Sequence, residues 1–132
     1  MKTTNDKKIF SRKRQMKSFS YAFSGLRVLF REEQNVRIHL LCAVLAVSLG
    51  FFLKISSVEW VAVVGSIGFV LALETINTAI EAICDHVTLE QHPQIKRIKD
   101  LAAAAVFISA IATLTIGLII FLPKIIVLCC SA

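Results

Sequence analysis

Apolar positions along this chain change their rhythm twice. Between Met16 and Phe30 they recur as Met16, Phe19, Phe23, Leu26 and Phe30, at spacings of three, four, three and four. Lys17, Ser20, Ser24, Arg27 and Arg31 lie off that stripe. The segment therefore reads as an amphipathic helix, aromatic on one side and basic on the other, suited to lying in a membrane interface. Packing of that face against other protein is the plain alternative. From Ile38 the apolar residues become continuous. A first run covers about Ile38 to Leu53 and stops at Lys54, slightly short for a bilayer core of about 30 Å, so flanking residues must extend it. Ile55-Ser56-Ser57 reads as a tight turn, with Ser57 as N-cap of the next helix and Trp60 as an interfacial anchor. That helix should run from about Val58 to about Asp85, roughly 40 Å at 1.5 Å per residue. Residues 86–100 read as a polar loop. A third span, about Leu101 to Leu122, begins with alanines that allow close helix approach and stops at Pro123.

These runs are too long and too continuous for a barrel of alternating strands. Composition agrees: 56% of residues are hydrophobic, and the mean hydropathy is +0.72. The expected fold class is an all-α membrane protein, with three transmembrane helices and an N-terminal amphipathic surface helix. Residues 1–13 form a basic tail, 14–122 the membrane unit and 123–132 a C-terminal tail. Ten of the 15 Lys and Arg residues precede the first long apolar run. A basic leader of that length without a small-residue cleavage pattern is not a signal peptide. It should stay in the cytoplasm near anionic headgroups, which puts the 54–57 turn outside and the 86–100 loop inside a cytoplasmic membrane. The long spans argue against nucleic acid as the partner of the basic arm. Cys42, Cys84, Cys129 and Cys130 form no metal or redox spacing and read as small buried hydrophobes.

Against this apolar background, Glu74, Asn77, Glu81 and Asp85 fall on one stripe of the second span, within about 80° of arc. An acid at the centre of a bilayer span costs roughly 2.5–3.5 kcal/mol on insertion scales. Several on one face call for a compensating metal ion, cationic partner or proton. If the helix enters the core near Val58, it leaves near Thr78, so Glu74 lies just inside the cytoplasmic boundary. Glu81 and Asp85 then lie in the wet interface.

No glycine-rich phosphate loop, dinucleotide fingerprint or HExxH pattern is present, so a nucleotide would have to be held by side chains and metal. Glu81 and Asp85, one turn apart, suit Mg²⁺, which prefers carboxylate and phosphate oxygens. Glu32 or Glu33, at similar depth, could complete the shell. Lys96, Arg97 and Lys99, with Arg12 and Arg14 from the arm, supply positive charge for a polyphosphate. At Glu74 desolvation makes a carboxylate a readier proton acceptor, and a base at that depth would meet a lipid hydroxyl. Plainer readings stand beside these: Glu33 as a solvated junction residue, Asp100 as an N-cap, Asn77 as interhelical glue, Lys96 and Arg97 as topology determinants.

The segment Glu74-Thr75-Ile76-Asn77-Thr78-Ala79-Ile80-Glu81-Ala82-Ile83-Cys84-Asp85 closely resembles the signature of the small prokaryotic diacylglycerol kinase family, which includes undecaprenol kinases. The resemblance extends through Ser24-Gly25-Leu26-Arg27, Glu33, Asn35-Val36-Arg37-Ile38-His39, His92 and Lys99-Asp100, covering about residues 14–122. It implies a homotrimer that transfers the γ-phosphate of ATP, with Mg²⁺, to a lipid alcohol, at a site assembled between subunits. By resemblance Glu74 is the catalytic base, and Glu33 and Glu81 bind metal. Arg14, Tyr21, Glu33, Glu81, Glu90, His92, Lys99 and Asp100 contact nucleotide, with Asn77, Asp85 and Arg27 in support or beside the substrate. Ala103 and Ser24 depart from residues some members carry. The Asn35–His39 segment and the Val/Leu-rich first span look more like the undecaprenol branch.

An ion- or proton-pathway subunit is the competing expectation. A relay should carry ionisable groups across to the far leaflet. From Val58 to Leu73, however, Glu59 alone is ionisable and it lies at the outer edge. A scaffold role would explain the aromatic helix but leave the acids unexplained.

Overall fold

A computed structural model of the chain describes residues 12–88 and 92–130, with side chains from Gln15 onward. Its elements are α1 (Arg12–Glu32), α2 (Gln34–Phe52), α3 (Ser57–Val87) and α4 (Pro93–Cys130). Among the described residues there is no strand. α2, α3 and α4 are each long and apolar enough to cross a membrane.

α1 and α2 are separated by one residue. Glu33 adopts an extended conformation, φ −96° and ψ 117°. Arg37, in the first turn of α2, donates from Nε to the Phe30 carbonyl at 3.2 Å and from Nη2 to the Arg31 carbonyl. A guanidinium on the last carbonyls of a helix satisfies acceptors that have no helical partner and meets the negative end of its dipole. Leu29 and Val36 bury the corner. The aromatic stripe of α1 is left uncovered within the chain: Phe19 is 68% and Phe23 71% exposed.

α3 and α4 form the main contact of the molecule, and α2 lies across them on a smaller front. The apolar core gathers at the end away from the acids, where Ile55, Val63, Ile120 and Phe121 are buried. The turn there is tightly specified. Ser56 is the N-cap of α3, its hydroxyl accepting from the Glu59 N–H at 3.4 Å, while Glu59 Oε2 accepts from the Ser56 N–H at 2.6 Å. This reciprocal capping box moves the cap one residue before the expected Ser57.

α4 departs most from expectation. It begins at Pro93, eight residues before the expected Leu101, because Pro at a first helical position loses no hydrogen bond and is pre-set in φ. The polar loop is correspondingly short, and Asp100 lies inside the helix and caps nothing. α4 also continues through Pro123 to Cys130. Proline removes the N–H that would bond the Ile119 carbonyl. Yet Ile125-Ile126-Val127-Leu128 follow, and in an apolar medium a helix is the way such a run satisfies its own backbone. In the alanine run only Ala102 is even half-buried, so Val106 and Ser109 are the buried α4 positions of that stretch.

Candidate active site

The acid stripe of α3 faces the protein. Glu74 is 2% exposed, buried where α2 crosses α3. Its Oε1 lies 3.1 Å from His39 Nε2 on α2. The two groups are in ion-pair range, and among the described residues no other side chain or backbone group reaches Oε1 with a hydrogen bond. One turn on, Asn77 Nδ2 donates to Glu81 Oε1 at 2.8 Å. The amide is thereby oriented with Oδ1 turned into a buried position, also without a hydrogen bond. Two buried acceptor oxygens without donors, at neighbouring positions of one helix face, are costly unless a proton or a cation completes them.

Glu33, at the α1–α2 break, and Glu81 are both near enough for their charges to act on Glu74 within a single chain. Asp85 is neutralised by Lys99, whose Nζ lies 2.5 Å from Oδ1, joining α3 to α4 at this end. The surplus is negative and made of oxygen. Carboxylate and amide oxygens such as those of Glu33, Glu81 and Asn77 are of the kind a hard divalent cation prefers. Among the described residues, no three His, Cys, Asp or Glu side chains form a ready-made metal cage. Further oxygens would come from a bound phosphate or another chain.

Other expected site residues stand apart. Asp100 pairs with Lys96 at 3.7 Å, and both are largely exposed. His92 accepts at Nδ1 from the Gln94 N–H at 3.3 Å, capping the start of α4. Tyr21 and Arg27 are exposed on α1. Glu90 and the side chain of Arg14 lie outside the described residues. His39 was given no role from sequence. The available signal was a lone imidazole at the start of an apolar span, at the depth expected for Glu74.

From His39 an apolar groove of about 360 Å³ runs between α2, α3 and α4 toward the core end. Ala43, Ala46, Val70, Gly117 and Phe121 are among its walls. His39, the partner of the buried Glu74 carboxylate, thus stands at the head of a groove suited to hydrocarbon.

The fold and this site define a multi-pass helical membrane protein with a polar centre at one end of its bundle. The chain belongs to the prokaryotic diacylglycerol kinase family, whose sequence model matches residues 20–121, and it is a lipid kinase. It is 40% identical over 111 residues to the undecaprenol kinase of Bacillus subtilis, covering 84% of this chain and 90% of that one. It is 34% identical over 92 residues to the diacylglycerol kinase of Haemophilus influenzae, covering 70% and 78%. The diacylglycerol kinase of Escherichia coli K12 is 33% identical over 98 residues, covering 74% and 80%.

Proposed function

We propose that this protein transfers the γ-phosphate of ATP to a membrane lipid alcohol at the cytoplasmic face of the inner membrane, and that the alcohol is undecaprenol rather than diacylglycerol. The observation that carries the reading is Glu74, buried in ion-pair contact with His39, which lines the head of an apolar groove. The higher identity to the undecaprenol kinase supports the choice of acceptor.

In this reading the lipid chain occupies the groove and its hydroxyl reaches Glu74. The Glu74 carboxylate accepts the hydroxyl proton as the oxygen bonds to the γ-phosphorus and the bond to the β-phosphate oxygen breaks, releasing ADP. Mg²⁺, when bound, would neutralise phosphate charge, held by Glu33 and Glu81. Asn77 fixes the Glu81 carboxylate, and Asp85 holds Lys99 at the mouth, where its ammonium faces incoming phosphate. Arg14, Tyr21, Glu90, His92 and Asp100 are the further nucleotide contacts that the resemblance implies. Alignment and charge placement account for most of the acceleration, as in phosphoryl transfer generally.

Purified protein in lipid micelles, given labelled ATP and Mg²⁺, should label a C55 polyprenol about tenfold or more faster than diacylglycerol, a discrimination worth about 1.4 kcal/mol. Faster labelling of diacylglycerol would reverse the acceptor assignment, and no labelled lipid from either would remove the kinase mechanism. Glu74→Gln should lower kcat by about 10²–10⁴-fold, the usual worth of a general base. Its ATP affinity should be nearly unchanged, as equilibrium binding of nucleotide will show.

A further inference from the structure

A base that takes a proton in each cycle must pass it to water before the next. Glu74, at 2% exposure, has no direct route. Among the described residues, the titratable side chain in ion-pair contact with it is His39, whose Nε2 lies 3.1 Å from Oε1. The imidazole keeps 26% of its surface exposed, so it touches the buried carboxylate without being buried itself. It belongs to α2 and lines the head of the groove, so it can govern where the Glu74 carboxylate sits relative to an incoming hydroxyl. The ionised groups around the pair are Glu81 from α3 and Glu33 from the α1–α2 break. α4 contributes uncharged Thr113 and Leu114 to the same groove.

We infer that His39, at the head of the groove, is a positioning and proton-carrying residue for the phosphoryl transfer, holding the Glu74 carboxylate in place and conducting its proton to the interface. This rests on the assignment of Glu74 as base. As the lipid oxygen bonds to phosphorus, its proton goes to the Glu74 carboxylate. Neutral His39 takes that proton at Nε2 and becomes imidazolium. Nδ1 then releases a proton to interfacial water, leaving the Nε2–H tautomer. Loss of that proton from Nε2 and uptake of one from water at Nδ1 return His39 to its starting form for the next cycle. Imidazole suits the task because either ring nitrogen can carry a proton, so one can accept while the other releases.

The test is steady-state kinetics of the full-length protein in lipid micelles as a function of pH, with the accepted lipid alcohol and Mg²⁺-ATP. Wild type is compared with His39→Ala, His39→Gln and Glu74→Gln. Both His39 variants should lose about tenfold or more in kcat, the lower side of what a proton-transfer group supplies. Their KM for ATP should stay within about twofold, since no nucleotide contact is removed. They should also lose one limb of the wild-type pH–rate profile. Free imidazole should restore His39→Ala and leave Glu74→Gln inactive. Near-wild-type kcat in His39→Gln, a loss of kcat with the wild-type pH profile intact, or a His39→Ala loss that imidazole does not relieve would each overturn the inference. If His39→Ala fails to fold, as judged by Trp60 emission, the similar-sized His39→Gln decides the matter through its pH profile. Full turnover by Glu74→Gln would remove the base assignment and this inference with it. An inactive Glu74→Gln beside unaffected His39 variants would remove the His39 assignment alone.

Discussion

Gly50 is buried against the face of Trp60, and a Cβ added there would come within 2.9 Å of that ring and 3.1 Å of Ile55 Cδ1. The Trp60 ring is also packed against Phe51, with centroids 4.7 Å apart, so it has little room to retreat. Gly50→Ala should therefore destabilise the protein by about 1–3 kcal/mol, the range for overpacking a filled site. Thermal unfolding will measure this, together with a shifted emission of Trp60, the chain's single tryptophan. Four residues on, Lys54 holds φ 50°, the left-handed region that side chains other than glycine's resist. The conformation closes a Schellman end to α2, with the Ile55 N–H on the Gly50 carbonyl at 3.1 Å and the Lys54 N–H on that of Phe51 at 3.3 Å. Lys54→Gly should raise stability by about 1 kcal/mol by relieving the Cβ, measured as a higher melting midpoint. At the site, Glu74, Asn77 and Glu81 were legible because three polar groups on one face of an apolar helix stand out in any sequence. His39 was not, because its meaning depends on how α2 is rotated against α3, which no local pattern encodes.

At the scale of elements, periodicity showed α1 and three apolar spans, while the ends were harder to read. Ser56 and Ser57 are both good caps, and only the reciprocal bond with Glu59 selects between them. Pro93 and Pro123 looked like loop and stop signals, yet one begins a helix and the other lies within it. Position along the turn and apolar surroundings decided their effect. The resulting α3 and α4 measure roughly 46 and 57 Å at 1.5 Å per residue, well beyond the hydrocarbon thickness. They are matched in register: Glu59 meets Lys124 at 3.2 Å near one end, and Asp85 meets Lys99 near the other. Lys124→Met and Glu59→Gln should each lower the melting midpoint. Combined, they should lower it by less than the sum, the mark of a direct pair.

As a whole molecule, a single chain covers little of its own apolar surface. In the most apolar windows of α2, α3 and α4, 11%, 17% and 11% of residues are buried. Lipid, other copies, or both must cover the rest. The trimer that the resemblance implies is testable by native mass spectrometry, where the expected particle has three times the 14.6 kDa chain mass. A monomer as the active species would remove that expectation. Family membership sets aside the reading of the acids as a charge relay across the bilayer. The paired ions at both ends of α3 and α4 have a mechanical consequence. Pairs near both ends oppose a shift of α3 along α4 in either direction, so the two longest rods of the molecule share one frame, against which α2 rests over a smaller front.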